Sequence, residues 1–322
     1  YMTRKRIKAL ESRIDVSDAA AGLEYSDCYL YDNDARFVFN FVRSAMNYGA
    51  IAANYVGLTQ AERHNGQWAV TAKDEVDGRQ IVIRARAIVN AAGAYADQLN
   101  QLSGQTSEYR HVFSKGVHLI VDKLVSSKRI LAFFASDGRL FFVIPMGAKT
   151  CIGTTDTRVN TPHADITEED RQFVLDNINA LMDLPQPLTA NDIIAERCGV
   201  RPLAVKGGSG TADWLALSRK HAIDQNIEDA YLSIYGGKLT DCLNVGEEVA
   251  AALQDCGIDL PHLQQPWYGE PPDAVRDEFF HQAELMQLDA MTDERASEPL
   301  SQRLWRRYGC LLYTSDAADE SS

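Results

Sequence analysis

The chain has 322 residues, 45% of them hydrophobic and 24% charged, with a formal net charge of −13. That length allows one large domain or two, and no apolar run reaches the roughly 20 residues of a membrane span. The acidic balance argues against a general nucleic-acid binder. The cysteines at 28, 151, 198, 242, 256 and 310 form no C-x-x-C pair and no secreted disulfide framework, so reduced thiols in a cytosolic setting are expected.

In chain order, residues 1–33 read as a connector, charged at first and then small and polar. A chain that opens on Tyr1 is expected to lack its coding start. A helix is expected from about 35 to 48, capped by Asp34. It would carry Phe37, Val38, Phe41, Val42, Ala45 and Met46 on one face and end at Gly49. The short apolar run Ala50-Ile51-Ala52-Ala53 reads as a buried strand. A three-stranded meander follows, with turns at His64-Asn65-Gly66 and Asp77-Gly78. A second buried strand then runs from Ala87 to Ala92 and stops at Gly93. Helix, buried strand, meander and strand ending in Ala-Gly match the latter half of a two-part dinucleotide-binding domain, here 34–100.

Residues 101–228 read as a substrate domain built on an antiparallel sheet. Its short β-type runs are Val117–Val121, Ile130–Phe134, Leu140–Pro145 and Thr150–Gly153. Thr167 to Asp170 resembles a capping box with Asp in place of Glu. It opens a helix with Phe173, Val174, Ile178, Leu181 and Met182 on its apolar side. Residues 229–260 bring the last strand and helix of the dinucleotide-binding part, with Leu239, Leu243, Gly246, Val249, Ala250 and Leu253 on one face of a helix at about 239–256. Residues 261–309 read as the start of a helical domain. Residues 310–322 look like a translated sequencing adaptor.

One stretch carries most of the chemistry. The apolar run Tyr231-Leu232-Ser233-Ile234-Tyr235 stops at Gly236-Gly237, and Lys238-Leu239-Thr240 follow. Strand, paired glycine, helix is how a backbone approaches a flat or anionic ligand without side chains in the way. Free N–H groups at the helix start bind a partly negative oxygen. Arg201 and Arg219 lie upstream, and a guanidinium suits bidentate binding of carboxylate or phosphate. On these residues alone, Arg201 reads first as a structural ion pair and His118 as a hydrogen-bonded sheet histidine, and the alternative for Lys238 is a solvated side chain in a first helical turn. Apart from His118 and His221, the other five histidines show no metal-ligand spacing.

The phrases Gly199-Val200-Arg201-Pro202-Leu203, Ser218-Arg219-Lys220-His221 and Tyr235-Gly236-Gly237-Lys238-Leu239-Thr240 occur here in one order and spacing. So do Glu24–Cys28, Val89–Gly93, Ser114–His118 and Gly153–Asp156. This set resembles the FAD-dependent glycerol-3-phosphate dehydrogenase family, within the D-amino-acid-oxidase-like flavoproteins. The resemblance spans roughly residues 4–260. It implies a mixed α/β fold whose FAD-binding domain is joined to an antiparallel-sheet substrate domain. It implies FAD as cofactor, sn-glycerol 3-phosphate as substrate and a membrane quinone as electron acceptor. It further implies a cytoplasmic enzyme, peripheral on the inner face of the membrane, with a homodimer as the expected assembly.

By the same resemblance Ala92 and Gly93 would approach the ADP part of the cofactor. Gly236, Gly237, Lys238, Leu239 and Thr240 would meet the flavin ring. Arg201 and Arg219 would position substrate, Lys238 would favour the reduced ring, and His118 is the candidate base. The family's G-x-G-x-x-G fingerprint does not occur in this chain. Two rival readings stay open: a related flavoprotein acting on another small alcohol or amine, and a binding protein without flavin.

Overall fold

The computed structural model describes residues 1–27, 34–207, 220–265 and 273–308. The first segment, expected as a connector, contains a short helix, α1 (Arg4–Leu10), which buries Ile7. Thr3 caps it by accepting from the Arg6 N–H. From the last turn of α1, Lys8 donates to the Ile14 carbonyl at 2.9 Å and pairs with Asp183.

Helix α2 (Asp34–Asn47) forms within a residue of the expected span, but its buried side is the other one. Arg36 and Asn40 are buried, whereas Val38, Val42 and Met46 are exposed. The neighbour of α2 decides this. Arg36 lies 5.1 Å from the ring centroid of Trp305 and donates to its carbonyl at 3.2 Å. Trp305 belongs to α7 (Leu300–Tyr308), which packs near α6 (Asp273–Leu285) through Phe279. The expected strand at 50–53 does not form: Ile51 is 96% exposed. A strand needs a neighbour for its backbone groups, and none of the described strands lies beside it.

The meander is as expected: β1 (Val56–His64), β2 (Gln67–Asp74) and β3 (Gln80–Ala85) form one antiparallel sheet. Asn65 and Gly66 turn the first hairpin with φ of 50° and 80°. Trp68 and Tyr231 close a small core between this sheet and the next, their ring centroids 5.5 Å apart.

Next come β4 (Ile88–Asn90), a 3-10 turn at Gly93–Tyr95 and α3 (Ala96–Leu102). A six-stranded antiparallel sheet follows. Its strands are β5 (Tyr109–Asp122), β6 (Leu131–Phe134), β7 (Leu140–Met146), β8 (Lys149–Gly153), β9 (Thr157–Val159) and β10 (Ala195–Lys206). The order is β10-β5-β8-β7-β6, with β9 also on β5. One face carries Val117, Leu119, Val121, Phe141, Val143 and Ile152. It packs on Val174, Leu175 and Ile178 of α4 (Glu168–Leu181). The capping box at Thr167 and Asp170 is present. Among the described residues this is the largest buried core, and the opposite face of the sheet carries His118, Gly116 and Ser114 of β5.

The third sheet joins distant parts of the chain. β11 (Ala222–Asn226) pairs antiparallel with β12 (Tyr231–Tyr235), and β12 pairs in parallel with β4. The last strand feeds a 3-10 turn at Leu239–Asp241 and then α5 (Cys242–Asp255). The expected helix thus begins three residues late. Its apolar face is only partly covered: Ala252 is buried and Leu243 is 50% exposed.

Candidate active site

Because β4 and β12 are parallel neighbours, both end at the same edge. Asn90 leads to Ala91-Ala92-Gly93, and Tyr235 leads to Gly236-Gly237. Ligands of open α/β sheets bind beyond the carboxyl ends of such strands. The glycines there have φ of 56° at Gly93, 61° at Gly236 and 90° at Gly237, a region that disfavours any side chain.

A buried polar network holds the two strand ends in register. Asn90 Nδ2 donates to Asn100 Oδ1 at 2.8 Å and to the Ala96 carbonyl at 2.9 Å. The same Asn100 oxygen accepts from Tyr231 and Ser233, while Asn100 Nδ2 donates to Tyr235 Oη at 2.8 Å. Asn90 Oδ1 accepts from the Ala92 N–H, which shapes the turn into Gly93. Every member is satisfied, and such networks specify one arrangement. Sequence reasoning missed it. Polar residues in β-type runs (Asn90, Ser233) were its one visible sign.

At Gly236 the N–H donates to His111 Nε2 at 3.3 Å, and the His111 ring stacks 4.8 Å from Tyr235. Burial holds His111 below its ordinary pKa, so the neutral ring accepts that bond. At Gly237 the turn is backed by His221. Its Nε2 lies 3.0 Å from Glu248 and its Nδ1 2.6 Å from Asp241. The Glu248 hydrogen bond, then that of Asp241, raises the His221 pKa against the opposing effect of burial.

Lys238 is exposed and sits at the cap, with extended φ of −111° and ψ of 153°, rather than inside the first helical turn. Leu239 and Thr240 follow as exposed residues of the 3-10 turn.

The other half of the site is the face of the six-stranded sheet opposite α4. Directly paired residues share a face: His118 with Arg197 and Gly153, Gly116 with Gly199, Ser114 with Arg201. His118 and Arg201, singled out separately from sequence, are therefore on one surface. Arg201 extends over Gly116, where any Cβ would collide with its guanidinium. Its Nη2 donates to Thr154 Oγ1 at 3.3 Å. The Thr154-Thr155-Asp156 loop is laced to β5 in turn. Thr155 Oγ1 accepts from the Val117 N–H at 3.0 Å, and Ser114 donates to Asp156.

His118 is pushed down to about 4 by burial first, then by Arg201 and Arg197. It is therefore a neutral imidazole near pH 7, able to accept a proton. Gly236 rests on Ala204 of β10, where an added Cβ would stand 3.2 Å from the alanine methyl. The turn bearing Lys238 thus meets the strand bearing Arg201. Arg219 lies outside the described residues.

The family model for FAD dependent oxidoreductases matches residues 1–222. The chain belongs to the FAD dependent oxidoreductase family. This family member is 32% identical over 228 residues to the aerobic glycerol-3-phosphate dehydrogenase of Bacillus subtilis, covering 69% of this chain and 40% of that protein. It is 31% identical over 260 residues to glycerol-3-phosphate dehydrogenase 2 of Mycobacterium tuberculosis, covering 79% of this chain and 43% of that one. In three dimensions it resembles the glycerol-3-phosphate dehydrogenase of Bacillus halodurans, solved in complex with FAD. The TM-score is 0.72 at 25% identity, over 99% of this chain and 63% of that chain. The chain thus spans about two fifths of the length of the curated relatives it matches.

The residues present fit such a cofactor. Gly93 and Gly237 are exposed at the shared edge of the parallel pair, and no neighbour occupies the space where a Cβ on Gly93 would stand.

Proposed function

We propose that the protein is an FAD-dependent dehydrogenase that oxidises sn-glycerol 3-phosphate to dihydroxyacetone phosphate. The observation that carries this reading is the convergence of a neutral His118 and Arg201 on one sheet face, beside the strand that packs on the Gly236-Gly237 turn. The names of the relatives supply the substrate. Ala92, Gly93, Gly236, Gly237, Lys238, Leu239 and Thr240 would hold FAD. When bound, FAD supplies a two-electron acceptor for the hydride on the substrate's carbinol carbon.

The chain's own residues do the rest. His118 accepts the hydroxyl proton. Its depressed pKa keeps the accepting nitrogen free at neutral pH, at the expense of basicity. Arg201, held by Thr154 and by the slot over Gly116, orients the substrate and stabilises negative charge on the reacting oxygen. Lys238 places positive charge beside the ring that gains electrons. Arg219 would add a further cation for the phosphate. Electrons would leave to a membrane quinone, and the protein would act as a peripheral homodimer on the cytoplasmic face of the membrane.

The test uses the full protein with FAD bound. Under anaerobic conditions, sn-glycerol 3-phosphate should bleach the flavin absorbance and glycerol should not. An Arg201→Ala enzyme should lose about 100-fold or more in kcat/KM. Flavin that stays oxidised with this substrate overturns the proposal.

A further inference from the structure

Residues 197, 199 and 201 share one face of β10. Arg197 stands directly opposite His118, and Arg201 lies two rungs further along. Four residues of strand separate the two arginine Cα atoms by about 13 Å. The rung between them is Gly199 opposite Gly116, so no Cβ fills it. Nothing lies within 4 Å of where a Cβ on Gly199 would point. Both guanidinium groups lean across β5. Arg201 covers Gly116 and reaches Thr154, while Arg197 bonds to the Cys151 thiol. Cys151 pairs with Ile120 and so shares the face of His118. Arg197 therefore stands on the rung of His118 and Arg201 to one side of it, with a trough between them whose Gly199 side is open and whose Gly116 side the Arg201 guanidinium covers.

The charge of Arg197 is not used up locally. Its neighbour Glu196 faces α4, where Arg171 holds both carboxylate oxygens, at 2.5 and 3.0 Å. No carboxylate among the described residues pairs with Arg197. A guanidinium kept clear of carboxylates, exposed beside a base and an open trough, is suited to an external anion.

We propose that Arg197 is a phosphate-reading residue, the second arm of a clamp whose first arm is Arg201. The ligand class is a phosphate monoester whose carbinol lies at His118. This deepens the function proposed above and rests on it for the reaction, though not for the anion. A phosphate monoester carries close to two negative charges at neutral pH, and two guanidinium groups match it where one does not. The clamp also makes the site selective, because an alcohol without phosphate leaves two arginines unanswered.

The test compares the FAD-bound full protein with its Arg197→Gln and Arg197→Lys variants. Inorganic phosphate is titrated calorimetrically, and kcat and KM are measured with sn-glycerol 3-phosphate across pH. Arg197→Gln should weaken phosphate binding and raise KM about tenfold, with kcat falling less than KM rises. Arg197→Lys should recover part of both, since it restores charge without the planar fork. The acid limb of the pH profile should move to higher pH in Arg197→Gln, because one of the two cations lowering His118 is gone. Unchanged phosphate affinity and KM in Arg197→Gln overturn the clamp. So does a wild-type protein that takes up no phosphate. Phosphate binding that depends on Arg197, in a protein that leaves sn-glycerol 3-phosphate unoxidised, sustains the clamp and overturns the reaction.

Discussion

Glycine serves the two halves of this site for different reasons. At Gly236-Gly237 the requirement is angular: φ of 61° and 90° turns the chain from β12 towards α5. At Gly116 the backbone is an ordinary strand and the requirement is spatial, because the Arg201 guanidinium occupies the place of a side chain. Gly199, across the ladder, meets neither condition: its Cβ position is open and its φ is not positive. The same one-letter symbol thus encodes a turn, a slot and a floor, and only the neighbours tell which.

Three alanine substitutions break the comparison apart, and the largest effect belongs to the slot. Gly116→Ala should drive Arg201 off its seat and lower kcat/KM about 100-fold, with the melting temperature changed far less than the rate. Turnover and a thermal melt on one preparation check this. A rate near wild type would mean that Arg201 acts from another position. Gly236→Ala comes next. The left-handed angle costs about 1–2 kcal/mol for an alanine. The added methyl would also meet the Lys220 carbonyl at 3.0 Å. Lower thermal stability and easier loss of FAD on dilution are expected together. Gly199→Ala should be smallest for stability, within about 0.5 kcal/mol, since it strains nothing. It should still raise KM, because it puts a methyl in the trough.

The two histidines sharpen the same contrast through pH, with opposite signs. His118 is depressed to about 4 from an ordinary 6.5, so the unfolded chain binds its proton first. Its neutral form therefore costs the fold stability as pH falls from 6.5 towards 4. A His118→Gln variant should lose less stability than wild type over that window. His221 is raised by Glu248 and Asp241. Its contribution is complete below 6.5 and is lost as pH rises through its elevated value. The deficit of His221→Gln should therefore be greatest near pH 6 and shrink towards pH 9. Chemical denaturation across pH reads both.

Legibility from sequence followed the range of the interactions. The hairpin at Asn65-Gly66, the capping box at Thr167 and the Gly-Gly turn are local, and each stands within a residue or two of expectation. The placing of His118 and Arg201 in one site came only through resemblance, although period-two spacing places each on a definite face of its strand. That spacing could also have revealed Arg197, two rungs before Arg201. Ala50–Ala53 misled because a short apolar run has no period and shows only that it would tolerate burial. The periodicity of α2 was read correctly as a helix, but a stripe does not name its neighbour. Arg36 on Trp305 chose the other side. The network at Asn100 left only polar residues in β-type runs as its sign, because Tyr231, Ser233 and Tyr235 reach it through the parallel pairing of β4 and β12.

That parallel pairing has a consequence for the order of assembly. β4 is synthesised early and its partner β12 only after the whole β5–β10 sheet has left the ribosome. Until β12 arrives, the edge of β4 that it will cover has no partner among the described strands, and the Gly93 turn lacks the Gly236-Gly237 turn beside it. Closing so long a loop is entropically costly unless the segment between has already condensed. The six-stranded sheet with α4 should therefore become protected from amide exchange first, and the edge that unites the two glycine turns last.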